Sequence, residues 1–250
     1  MSLTIAQLVN NATASTLSNG QNTTQSTTAA SHVSKAMDKA GARIQTLLDT
    51  TTAQLSSFGK LKSDVSDVQL DAKTLGATTT QSSVADVRAA ASRFATSFNA
   101  AVITANSTAN LSSASALESS NARRVTRDLG NALSGNTAIA DAAKKLGFKL
   151  ESDGSLTVDA KKFDAAQKAD PAAAQATLAK LAQAVEKSAS KELAAGGVVN
   201  GSIASLNQRS STLKTQQSAM QAAVKQLSAS QTTSNSNTGY VGYGLSAYLK

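Results

Sequence analysis

Apolar residues recur every three or four positions along two long stretches of this chain, and its only proline, Pro171, lies in neither. Spacing of this kind lines one side of a helix, and without an interior proline the helix can run on. The first stripe reads Val33, Met37, Ala40, Ile44, Leu47, Thr51, Leu55, Phe58, Leu61, Val65, Val68, Ala72 and Leu75. It predicts a helix that starts near Ser31 or Ser34, ends near Leu75 and is about 65 Å long at 1.5 Å per residue. Gly41 and Gly59 weaken it locally, and the four-residue steps around Thr51 have the pattern of a coiled-coil stutter. The second stripe is a heptad seam over residues 199–228: Ile203, Leu206, Ser210, Leu213, Gln217, Met220, Val224 and Leu227. Its polar members, Ser210 and Gln217, weaken packing but can fix register or partner.

What such stripes can bury is limited. Hydrophobic residues make up 41% of the 250, dominated by Ala, with five Phe, three Tyr and no Trp, so narrow helical seams suit the chain better than a thick core. The expected fold class is mainly α, an elongated antiparallel helical bundle or coiled coil with one small β-hairpin. Residues 76–83, GATTTQSS, form a polar connection into a second helix carrying Val84, Val87, Phe94, Phe98 and Val102. A third helical pattern covers residues 117–133, with Val125 and Leu129 on one side. Residues 10–31 are too poor in apolar groups to offset the entropy of ordering. The expected organisation is therefore a flexible segment at 1–31, a helical core at 32–230 with a hairpin at 146–158, and a flexible tail at 231–250 holding Tyr240, Tyr243 and Tyr248.

The hairpin is read from LGFKLESDGSLTVDAKKF, residues 146–163, which alternate like two strands. A two-residue turn of Asp153 and Gly154 would place Leu150 opposite Thr157 and split the apolar residues across both faces. A three-residue loop, Ser152 to Gly154, pairs Leu150 with Leu156 and Phe148 with Val158, and puts Gly154 where a left-handed conformation is needed. Two strands alone are barely stable in water, so this four-residue apolar face must pack on a helix. Asp159 and Asp170 are the expected caps of the helices that follow, the second with Pro171 in its first turn and an end at Gly196 and Gly197.

Several functions are excluded by what the chain lacks. The formal charge of +8 invites a nucleic-acid reading, but the basic clusters, Arg123, Arg124 and Arg127 with Lys144 and Lys145, are short and have no interleaved aromatics. There is no cysteine, and one histidine, His32, cannot build a metal site of the usual kind. No nucleophile and base pair up, no glycine-rich turn cradles a phosphate, and the Asp153–Gly154 turn lacks the alternating carboxylates of a calcium loop. The expectation is a protein that is not an enzyme, has no cofactor and no metal, and does not bind nucleic acid. No stretch reaches the length of a membrane span, and the first residues lack the pattern of a secretory signal peptide.

Three stretches resemble the flagellar hook-associated protein 2 family, the filament cap proteins of bacterial flagella. Residues 44–75 resemble the family's N-terminal helix, with the phrase from Phe58 to Ser63. Residues 84–102 resemble the helix that resumes the inner core, with Phe94, Phe98 and Asn99 in its aromatic-Asn phrase. The most specific is 146–178: Leu-Gly, a hairpin closed by Asp-Gly, Leu-x-Val-Asp, a short helix and Asp-Pro. The resemblance implies a structural axial protein that promotes flagellin assembly at the filament tip, exported unfolded through the flagellar type III apparatus and located outside the cell in the flagellum. It also implies a homo-oligomer with flagellin and hook-associated proteins as partners, and the Tyr-bearing tail is a candidate contact for an export chaperone. The residues expected to serve subunit or helix packing are Phe58, Leu61, Val65, Phe94, Phe98, Leu206, Leu213, Met220, Val224 and Leu227, with Phe148, Leu150, Leu156 and Val158 packing the hairpin. Two departures stand out. Family members carry large β-rich outer domains where this chain has only residues 76–83, and the C-terminus lacks the bulky helical ending of the family. Alternative readings are a hook-filament junction protein, a minor filament subunit, or a secreted adhesin or binding module.

Overall fold

The computed structural model describes the backbone of residues 23–246 and the side chains of 32–229. The expectations for residues 1–22 and 247–250, and for the tail side chains including the three tyrosines, lie outside the described residues. The described chain is mainly helical: α1 (Thr23–Gly76), α2 (Val84–Ala109), α3 (Ala116–Ser134), α4 (Thr137–Lys145), β1 (Phe148–Leu150), β2 (Leu156–Val158), α5 (Ala160–Ala169), α6 (Pro171–Leu193) and α7 (Val198–Ser246). The two long helices run past their expected bounds, α1 starting at Thr23 rather than near Ser31 and α7 reaching Ser246 rather than Ser228. Polar composition alone does not stop a helix. Extending an existing one adds a hydrogen bond per residue without a new nucleation cost.

Residues Thr50–Gln208 form one compact unit. Its core runs from Phe58, Leu61 and Val65 on α1 through Phe94 and Phe98 on α2, Leu129 on α3, Phe163 on α5 and Leu178 and Leu181 on α6 to Leu206 on α7. Buried alanines, Ala90, Ala91, Ala101 and Ala105, line the inner side of α2 and let neighbouring helices approach closely. Each large apolar side chain buried here contributes roughly 1.5–3 kcal/mol against leaving it in water. Helix starts are held by side-chain caps: Ser83 on α2, a Ser115–Glu118 capping box on α3, Asp159 on α5, and Asp170 with Pro171 on α6. Helix α4, which no sequence stripe predicted, starts at the Asn136 cap and buries only Ala143. One buried position in nine residues leaves no periodicity to read.

The hairpin has the three-residue loop, with Phe148 opposite Val158 and Leu150 opposite Leu156. Gly154 has φ +86 and donates its N–H to the Glu151 carbonyl at 3.0 Å. The Asp153 carboxylate accepts from the Ser155 N–H at 2.9 Å and its hydroxyl at 2.7 Å, which closes the turn and holds this acid below its usual range. Phe148 and Leu156 are buried, and Leu150 and Val158 are half-buried against the core.

The described parts of Met1–Asp49 and Arg209–Lys250 belong to a second compact unit. Here Ile44 and Leu48 of α1 meet Leu213 and Met220 of α7, with Met37 and Ala40 packed against them. The Gln217 amide donates to Gln45 Oε1 at 2.8 Å, and Met37 and Gly41 share a groove with Met220, Val224 and Lys225. Numbers that fall along α1 as they rise along α7 make the pair antiparallel. One expected seam residue is misplaced: Leu47 is 39% exposed and Leu48 is buried instead. The buried positions step by four from Ile44 to Leu48, which leaves Leu47 off the contact face.

Candidate assembly surface

Most residues expected to serve packing lie inside the units. Phe58, Leu61, Val65, Phe94, Phe98 and Leu206 are closed in the core of the larger unit, and Leu213 and Met220 in the seam of the smaller one, whereas Val224 and Leu227 stay partly exposed. The two phenylalanines of α2 lie with ring centroids 6.1 Å apart, and Phe148 of the hairpin meets Phe163 of α5 edge-on at 6.0 Å. The second contact ties the hairpin to α5.

Asn99 explains how the hairpin is held. Its Nδ2 donates to the Leu156 carbonyl at 2.9 Å while its Oδ1 accepts the Leu156 N–H at 2.7 Å. The side-chain amide thus pairs with strand β2 as another strand would, and satisfies backbone groups on an otherwise open edge. The sequence alone assigns Asn99 no role beyond its place in the aromatic-Asn phrase; its signal is a lone amide next to a core aromatic, Phe98. An ion pair of 2.7 Å between Arg88 of α2 and Asp164 of α5 braces the same side.

The surface of the larger unit carries large apolar side chains with nothing over them: Leu70 on α1, Ile103 on α2 and Leu117 on α3 are 62–66% exposed. Leu70 borders an open groove of about 390 Å³ between α1 and α2, whose walls include Asp67, Asp71 and Arg93. An open, mixed-charge groove with one exposed leucine at its border suits a protein surface better than a small ligand. Sequence reading missed these positions because it followed the stripes. Leu70 lies between the buried Val68 and Ala72 and must face away from them, and Ile103 follows the buried Val102.

No group of metal-ligating side chains is present among the described residues, and no described helix is long and apolar enough to cross a membrane. Comparison with known proteins found no match among curated proteins and none among solved structures. The family model described as flagellar hook-associated protein 2 C-terminus matches residues 68–236, a span that contains Asn99, the hairpin and the α6–α7 corner. With more than half its length matched, the chain belongs to the flagellar hook-associated protein 2 family.

Proposed function

We propose that this protein is a filament cap-like axial component of the bacterial flagellum that promotes flagellin assembly at the tip by contact and not by catalysis. The family match over residues 68–236 carries this reading. Most core residues are spent inside the subunit, and among the described residues Leu70, Ile103 and Leu117 are the large apolar groups most open to neighbours, whether further copies of this chain, flagellin or hook-associated proteins. Between α1 and α2 stands a short turn closed by Thr78 Oγ1 on the Leu75 carbonyl and by the Ser82 N–H on the Thr79 carbonyl. The family's outer domains would stand there, so this protein works without their plate. Export is through the flagellar type III apparatus, with information in residues 1–31, and residues 231–250 dock to axial neighbours or to a chaperone.

The test replaces Leu70 and Ile103 by Asp in the full chain and, separately, deletes residues 1–31 or 231–250, then measures export and filament growth in the native host. The double variant is expected to be exported and to fail in assembly, and loss of 1–31 to abolish export. Normal filaments from all three would overturn the reading.

A further inference from the structure

Glu192 is a fully buried carboxyl group in the last turn of α6; neither of its oxygens has a donor to pair with, and the side chain it faces is the Asp128 carboxylate of α3, to which it can hydrogen-bond only when one of the two carries a proton. A carboxylate is poorly placed there twice over: it has lost its water, and the unpaired carbonyls at a helix C-terminus repel negative charge. The charged groups that act on it are Asp128 and Arg124 from α3 and Lys191 from its own helix. Both cations are engaged elsewhere, since Lys191 Nζ and Arg124 Nε lie 3.5 and 3.6 Å from Asp128 Oδ2. From α1 the nearby contact is neutral, Gln69 donating to Ser190 at 2.7 Å, and α7 has no charged residue before Arg209. Burial, reinforced by Asp128, pushes the Glu192 acid up to about 7.

The α6–α7 corner folds tightly against the backbone of this residue. The Gly197 N–H donates to the Ala194 carbonyl at 2.8 Å, and a Cβ on Gly197 would collide with the carbonyls of Lys191 and Glu192. The Asn200 amide reaches back to the Leu193 carbonyl, and Asn121 of α3 donates to Ser202 at 3.0 Å.

We propose that Glu192 is a proton-operated latch, which when protonated seals the α6–α7 corner against α3 and when ionised beside Asp128 releases it. The inference does not depend on the flagellar reading. Because the folded-state acid is raised, its stabilisation is fully present below the ordinary glutamate range and is lost as pH rises through about 7. Between about pH 6 and pH 8 the opening equilibrium of the corner should rise about tenfold from this group alone.

The experiment uses the full chain. Side-chain carboxyl carbon NMR follows the titration of Glu192, and hydrogen exchange, corrected for intrinsic base catalysis, follows residues 190–202 with the hairpin as internal reference. A Glu192 midpoint near 7 with protection lost selectively at the corner is expected, and Glu192→Gln should remove the pH dependence. A midpoint in the ordinary carboxylate range, or equal pH dependence at corner and hairpin, overturns the latch. Should Glu192→Gln fail to fold, the wild-type titration decides by itself, and Asp128→Asn must lower its midpoint.

Discussion

The two compact units solve the shortage of large apolar residues in different ways. The larger one concentrates four of the five phenylalanines, Phe58, Phe94, Phe98 and Phe163, in a core where each is wholly shielded from water, and stitches its single hairpin onto that core through Asn99. Phe148, the fifth, comes from the hairpin itself. In the smaller unit two helices share Ile44, Leu48, Leu213 and Met220, each still 6–9% exposed, and cross the seam with a Gln45–Gln217 hydrogen bond. One unit is specified by shape in a filled core. The other is specified by register along a thin seam, where a polar pair selects alignment at some cost in stability.

Mutations can break this contrast in graded steps. Phe98→Ala, which empties the centre of the larger core, should cost about 3–5 kcal/mol in chemical denaturation. Leu213→Ala in the thin seam should cost about 2 kcal/mol, because a rim that already touches water relaxes around the loss. A Leu213 cost equal to that of Phe98 would erase the distinction. Asn99→Ala leaves the Leu156 N–H and carbonyl without their partner and should cost about 1–2 kcal/mol, with hydrogen exchange rising first in the hairpin. Smallest of all, Gln217→Leu should change stability by about 0.5 kcal/mol or less while loosening the alignment of the helix pair, read by cross-linking cysteines placed at positions 41 and 221.

Much of this was legible in the sequence because it depends on local rules. The seam of α7 follows from heptad spacing, and Leu206, Leu213 and Met220 are buried where that spacing puts them. The hairpin register follows from a single requirement, that four apolar residues share a face, together with a glycine at the one position needing φ +86. Other features were hidden because they depend on what the chain meets in three dimensions. Leu48 and Leu47 look alike in a list, and only the partner helix decides which is covered. Glu192 sits among ordinary polar residues of an amphipathic helix, and its burial beside Asp128 of α3 arises only once the helices pack. Leu70 and Ile103 fall beside the stripes, where apolar residues are easily passed over as noise.

The place of the protein on the flagellum tests the account most directly. Labelling the full chain at an exposed, non-apolar position and imaging native flagella by electron microscopy should put the label at the filament tip. Label at the junction of hook and filament, spread along the filament, or absent from the flagellum would contradict a cap-like role.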